Sequence, residues 1–264
     1  MPILSDWFWC DQLRNRRERG EMAELPDTVA RPQSSAEAFA LQQRFAAQYG
    51  EVIGWKCGVP GVTDDGLVKW VVAPLYLREL QQGADCALWP SVKGLARVEP
   101  EYAYPLLSDV LPPDTALPSD DLSAAAIDAV LGTPRLAFEL IQSRFAADAG
   151  AQFFDQLADG LFNQGVWLGP ALLHGERAEF PLTLTVAQQA QPPLTARHPN
   201  AAPRAPIYWL VNFLRQQGVP LRAGQYLITG SFAGVIELPF DQPITWQFGA
   251  EPAITVVYRN KTEL

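Results

Sequence analysis

The spacing of apolar positions changes near residue 50. From Ser34 to Gly50, the apolar residues Ala38, Leu41, Phe45 and Tyr49 recur at intervals of three and four, the period that places side chains on one face of a helix. Ser34 and Glu37 have the form of a capping box, and Gly50 stands where such a helix stops. Residues 1–50 are therefore expected to be an N-terminal helical segment. From Val52 onward the apolar runs shorten and are broken by Gly and Pro, at 52–59, 67–77, 95–107, 135–145, 161–169, 180–187, 226–231 and 253–259. That texture predicts strands. Two helices interrupt it, one from Ser123 to Leu131 closed by Gly132 and one from Pro206 to Gln217 closed by Gly218. Residues 51–264 read as one β-rich domain carrying the chemistry, so the class is mixed and dominated by β. The Pro- and Ala-rich stretch from Gln191 to Pro206 has little periodicity and reads as a long loop, either a lid or an interface arm.

Composition narrows the partners. With 264 residues, 48% hydrophobic and 19% charged, the chain can bury a sizeable core. A net charge of −9 and only four lysines, Lys56, Lys69, Lys93 and Lys261, argue against nucleic acid, whose binding needs clustered cations. The one basic cluster, Arg14, Arg16, Arg17 and Arg19, is interspersed with Asn15 and Glu18 and is expected on the wet face of the first helix. Asp6 and Asp11 bracket the short apolar run at 7–10, so no signal peptide is expected. No run approaches the roughly 18 apolar residues of a membrane span. Cys10, Cys57 and Cys86 are odd in number and lack zinc-site spacing, which suits reduced thiols. The expectation is a cytoplasmic protein with neither nucleic-acid nor membrane partners.

Common machineries are absent: there is no Walker loop, dinucleotide glycine fingerprint, nucleophile elbow or HExxH helix. His174 and His198 both fall in loop-like sequence and read as surface histidines. The informative segments are acidic. In Arg97-Val98-Glu99-Pro100-Glu101-Tyr102, two carboxylates share one face of a strand about 7 Å apart. They repel unless solvent or a cation offsets them, and hard oxygen donors suit magnesium, manganese or calcium. Pro100 cannot donate a ladder hydrogen bond, which predicts an edge strand or a bulge. Glu139 lies among apolar residues in Leu136-Ala137-Phe138-Glu139-Leu140-Ile141, and burying it alone would cost several kcal/mol. Two compensations are open: an ion pair with Arg135 or Arg144, or a metal shared with Glu99 and Glu101. Lys56, in Gly54-Trp55-Lys56-Cys57-Gly58, is either a plain salt bridge or a proton relay.

Taken in order, Gly54-Trp55-Lys56, Glu99-x-Glu101, the run from Leu136 to Arg144, Ala158-Asp159, Leu168-Gly169, Trp209-Leu210-x-Asn212 and the segment from Leu221 to Ser231 resemble the 2-keto-4-pentenoate hydratase and 4-oxalocrotonate decarboxylase branch of the fumarylacetoacetate hydrolase-like family. The resemblance covers nearly the whole chain. It implies an α+β fold, a mixed β-roll of the fumarylacetoacetate hydrolase C-terminal type with an N-terminal helical segment. It also implies a Mg2+ or Mn2+ ion held by Glu99, Glu101 and Glu139, Lys56 as the catalytic residue, and a homo-oligomer. The implied substrate is a small 2-keto or 2-hydroxy-dienoic acid, approached by Asn163, Gln164, Thr229 and Ser231; Thr229 and Ser231 have the alternative of capping a turn. A hydratase is the leading reading, with a decarboxylase or a catalytically altered metal-binding subunit as alternatives. The sequence departs from the family where an acidic partner of Lys56 is usual, the stretch here being Trp70-Val71-Val72, and at Gly160, where the family has Asn. Trp70 and Trp167 are expected near the pocket.

Overall fold

The computed structural model describes residues 4–25, 31–64, 66–111 and 120–264. The chain begins with α1 (Leu4–Arg19) and α2 (Ser35–Tyr49), then runs through β1 (Val52–Val62), β2 (Val68–Tyr76), β3 (Leu80–Gln81), β4 (Asp85–Leu88) and β5 (Ala96–Pro105). After α3 (Ala124–Asp128) come β6 (Arg135–Ile141), α4 (Phe153–Ala158), β7 (Asn163–Ala171), β8 (Glu179–Val186), β9 (Gln189–Ala190) and β10 (Leu194–Arg197). The last part holds α5 (Ala205–Gln216), β11 (Tyr226–Ile228), β12 (Ile236–Leu238), β13 (Pro243–Phe248) and β14 (Ile254–Asn260). Among the described residues no helix is long and apolar enough to cross a membrane. All three cysteines are free and buried.

Most local expectations hold. Ser34 caps α2 by accepting the Glu37 amide at 3.2 Å, a bond of the kind that contributes about 1 kcal/mol. The Glu37 carboxylate reaches Gln33 N rather than Ser34 N, one residue beyond a strict capping box. Gly218 follows the end of α5 with φ +72, the left-handed stop expected of it. Gly132 is no such stop, because α3 ends at Asp128 and Gly132 N bonds Pro105 O instead. α4 escaped the apolar-period reading, being only six residues long. The stretch expected as a loop at 191–206 contains β10, which pairs with β8 along its length.

Two sheets carry the fold. The first has the order β2-β1-β11-β5-β6-β7-β3, with β12 beside β5; the second has the order β10-β8-β13-β14-β4. The first sheet curls around a small core of its own, Leu75, Ala103, Ala137, Val166, Leu168 and Ile228, drawn from five of its strands. Its other face carries the bulky residues. Phe138 packs against Trp246 and Phe248 of the second sheet, and Trp55 meets Phe39 of α2. Alternation along each strand therefore divides large side chains outward from small or functional ones inward.

The basic cluster of α1 is not a wet face. Arg16 and Arg17 are buried, Arg16 donating to Glu24 O at 2.7 Å and Arg17 pairing with Glu79 at 2.6 and 2.7 Å; Arg19 alone stays well exposed. Each guanidinium finds acceptors that only tertiary packing supplies, which no charge pattern along α1 could announce. Pro100 is likewise not on an edge. β5 pairs β6 on one side and both β11 and β12 on the other, and Pro100 lies in the gap between those two short strands. Its carbonyl accepts from Phe232 N at 2.9 Å, so its nitrogen faces that same gap, where no ladder donor is needed.

Close approach of β1 to β11 requires glycine at one position. A Cβ on Gly54 would stand 2.0 Å from Tyr226 O, whereas one on Gly61 would meet nothing within 4 Å. Urea denaturation should therefore show Gly54→Ala losing about 2–3 kcal/mol or more through overpacking, with Gly61→Ala within about 0.5 kcal/mol of the parent. Equal midpoints for the two variants would contradict the fitted β1–β11 approach.

Candidate metal centre

The inner face of the curled sheet ends in a cluster of carboxylates. Glu99 and Glu101 are two residues apart on β5, and Glu139 of β6 sits directly opposite Glu99 in register. One oxygen from each of the three lies within 4.8 Å of the others. Glu101 and Glu139 are each 1% exposed and Glu99 is half-buried. Like charges directly opposite in a sheet destabilise it, and here water cannot spread them. Burial first, then Glu139, pushes the Glu99 carboxyl up to about 7, against the pull of Lys56 and Arg97. Glu101 is held well above the usual carboxylate range by burial and by both neighbouring acids, and only the Gly230 amide and Lys56 oppose that.

Protein donors orient two of the three acids. Lys56 Nζ donates to Glu139 Oε1 at 2.6 Å and to Leu161 O at 3.1 Å. Asn163 Nδ2 donates to the same Glu139 oxygen at 2.9 Å. Gly230 N donates to Glu101 Oε2 at 2.9 Å. The backbone at Gly230 has φ +118, and a Cβ there would come within 3.3 Å of Pro199, so glycine lets this amide face the carboxylate. These bonds engage one oxygen of Glu139 and one of Glu101. Three hard oxygen donors converging with partly neutralised charge are a set that suits a divalent cation such as Mg2+, Mn2+ or Ca2+.

The cluster opens into a cavity of about 280 Å³ lined by Lys56, Cys57, Val59, Val71, Pro199, Asn200, Thr229 and the acids. The structure thus brings together Glu99, Glu101, Glu139, Lys56 and Thr229. Neither arginine weighed as a partner of Glu139 serves it: Arg144 pairs with Asp159 at 2.7 Å and Arg135 donates to Gly169 O. The partner of Lys56 is Glu139 itself, and Val71 forms part of the cavity lining.

Other expected members lie elsewhere. Asn163 is fully buried behind Glu139 and touches the cavity only through that carboxylate. Gln164, the next residue on β7, points the opposite way and clamps Trp89 by its N and O and Ile141 by its O. Ser231 closes a turn by donating to Gly234 O and accepting from Ala233 N. Trp70 packs on Phe39 and Phe213, and Trp167 packs on Phe138, both away from the cavity.

His198 is a correction of the opposite kind. It is 1% exposed, with Nε2 3.1 Å from Thr229 O and Nδ1 accepting from Asn200 N at 3.2 Å. A carbonyl can only accept and an amide only donate, so Nε2 carries the hydrogen and the ring is neutral. Burial also holds its pKa below the ordinary value. The ring ties the loop bearing Pro199 and Asn200 to Thr229 and so forms one side of the cavity. Nothing local in the His198-Pro199-Asn200 segment signals this; it depends on β10 carrying that loop to the end of β11.

No family model matches this sequence, and no curated protein matches it. Solved structures do. 4-Oxalocrotonate decarboxylase from Pseudomonas putida G7, complexed with magnesium and adipate, aligns over 96% of this chain and 97% of its own with TM-score 0.67 and 11% identity. The same enzyme complexed with calcium and acetate gives TM-score 0.66 and 12% identity over the same shares of both chains. 5-Carboxymethyl-2-hydroxymuconate delta-isomerase from Mycobacterium smegmatis aligns over 80% of this chain and 81% of its own, with TM-score 0.51 and 14% identity. At these identities the likeness is one of fold. The chain has the fold of the fumarylacetoacetate hydrolase-like family, over nearly its full length in the form taken by 4-oxalocrotonate decarboxylase.

Proposed function

We propose that this protein is a divalent-metal-dependent lyase acting on a 2-oxo acid or its enol. The observation that carries the reading is the convergence of Glu99, Glu101 and Glu139 beside Lys56 where the cluster opens into a cavity. A Mg2+ or Mn2+ ion held by the three acids would supply Lewis acidity toward the carboxylate and 2-oxo oxygens of a chelating substrate.

The residues of the chain then divide the work. Lys56 Nζ, only 12% exposed and tied to Glu139, can hold a proton next to the substrate carbons and deliver it where a carbanion develops. Thr229, Asn200, Val59, Val71 and Pro199 line the rest of the cavity and would contact the substrate. The fold likeness to a decarboxylase and to an isomerase accords with enolate chemistry of this kind.

Two reactions fit that division, and the wall of the cavity weighs between them. Hydration adds water across a conjugated double bond and needs polar groups to place that water; Asn163 and Gln164, expected beside the substrate, bond Glu139 and Trp89 instead. Asn200 is left for that role. Decarboxylation breaks a carbon–carbon bond, releases carbon dioxide, leaves the electron pair in the conjugated system and returns a proton to carbon. An apolar surrounding favours loss of a carboxylate as carbon dioxide, and Val59, Val71 and Pro199 are the apolar side chains offered beside the acids and Lys56. Decarboxylation is therefore the better supported reaction, with hydration second. A homo-oligomer in the cytoplasm, with no macromolecular ligand, completes the proposal.

Three measurements test it. Isothermal titration with Mg2+ or Mn2+ should show Glu101→Gln and Glu139→Gln each losing more than tenfold in affinity, above about 1.4 kcal/mol, because a neutral amide is a poor hard-cation ligand. Unchanged affinity in both would remove the metal site. Lys56→Met should keep its metal, since Asn163 still orients Glu139, while turnover falls by about two orders of magnitude, the scale of a lost acid–base group. Turnover within threefold of the parent would end the proton-transfer role. Incubation with 2-oxo-hexenedioate and with a 2-hydroxy-dienoate in oxygen-18 water separates the reactions: carbon dioxide release without label uptake is expected, and label uptake without carbon dioxide release would make the protein a hydratase.

A further inference from the structure

The carboxylate cluster is tied to the N-terminal helix by an unbroken chain of buried hydrogen bonds. Arg17 of α1 donates through Nε and Nη2 to both oxygens of Glu79, at 2.6 and 2.7 Å, and Tyr49 of α2 donates to the same carboxylate at 2.7 Å. The guanidinium also lies against the rings of Tyr49 and Tyr76, 5.6 and 5.4 Å from their centroids. Its Nη2 also donates to Asn163 Oδ1 at 3.1 Å, and Asn163 Nδ2 donates to Glu139 Oε1 at 2.9 Å.

The chemistry of the middle link gives the chain a direction. An amide side chain can present either its oxygen or its nitrogen to a neighbour. Arginine only donates, so Arg17 can bond only the oxygen of Asn163, which accepts from it. That turns the NH2 group onto Glu139, in the same sense that its second bond, to Gly165 O at 3.2 Å, requires. Were Asn163 turned over, its oxygen would face the carboxylate and its NH2 the guanidinium, and both contacts would be repulsive. With one Glu139 oxygen engaged by Asn163 and Lys56, the other is left toward Glu99 and Glu101.

We propose that Arg17 is a positioning residue of the metal centre, which fixes the sense of Asn163 and through it the orientation of Glu139. The inference rests on the reading of Glu99, Glu101 and Glu139 as metal ligands and extends it to a helix that touches none of them. A lysine at position 17 keeps the charge opposite Glu79 but, as a single point donor, cannot clamp Glu79 and Asn163 together. Outer partners of metal ligands commonly govern affinity by 10- to 100-fold.

The test is a double-mutant cycle read as Mn2+ affinity by calorimetry, on proteins whose circular dichroism is native without metal. Asn163→Leu is expected to weaken Mn2+ binding at least tenfold and Arg17→Lys at least threefold. The double variant should be no weaker than Asn163→Leu alone, because Arg17 acts only through Asn163. A merely structural role would lower the melting temperature in every variant and leave affinity unmoved, as Arg204→Lys, in ion pairs with Asp128 and Glu176 away from the site, is expected to do. If Arg17→Lys does not fold, Arg17→Gln combined with Glu79→Gln removes the buried charges together and leaves a side chain too short to reach Asn163; the same threefold loss is expected. Affinity within twofold of the parent in the folded position-17 variant, or losses that multiply in the double variant, would overturn the role of Arg17 while leaving the metal centre standing. Failure of the parent protein to bind Mn2+ would instead remove the metal centre, and this inference with it.

Discussion

The constraint on which the rest depends is a repulsion. Register places Glu99 directly opposite Glu139, with Glu101 on the same inner face, in a part of the sheet where water is largely excluded. Two facing carboxylates in such a place cannot both be ionised without compensation. Lys56 supplies one positive charge and the Gly230 amide a partial one, against three acids. The remaining imbalance is what a divalent cation would relieve, and it explains why the features around the cluster concern placing donors and limiting space.

Placement begins with the curl of the first sheet. Its inner face holds aliphatic residues in that small core because the strands close around it, and the acids stand where the core gives way to the cavity. Bulky residues such as Phe138 and Trp55 are sent to the outer face, where Trp246 of the second sheet and Phe39 of α2 pack on them. A sheet divided in this way holds the acids on rigid strands. The loops that meet them, at 198–200 and 229–230, are fastened by the neutral ring of His198.

Much of this was legible along the chain. The capping pair Ser34 and Glu37 and the short apolar runs gave most of the elements, and the family resemblance joined the i, i+2 acids to Glu139. Lone charged residues inside strands, Lys56 and Glu139, marked the site because burial of an ionised group demands a partner, and each proved to be the other's. Patterns failed where a residue's environment comes from distant chain. Arg17 looks like one more basic residue on a polar helix until Glu79, Asn163 and two tyrosine rings surround it. Gln164 and Asn163 are neighbours with similar amides, yet strand alternation turns them to opposite faces, so only Asn163 reaches the acids.

What the sequence alone determined, then, was a mixed fold rich in β and the helical start, which follow from periodicity; the cost of burying charge singled out Lys56 and Glu139, and the family resemblance grouped them with Glu99 and Glu101. Tertiary structure decided what lies around them: that Pro100 sits in a gap between two short strands, that His198 is buried and neutral, and that α1 contributes a guanidinium to the hydrogen bonds behind Glu139. The physical reason is range. Periodicity and capping act over a few residues, whereas the link from Arg17 to Asn163 spans 146 positions in sequence and exists only once the sheet has curled.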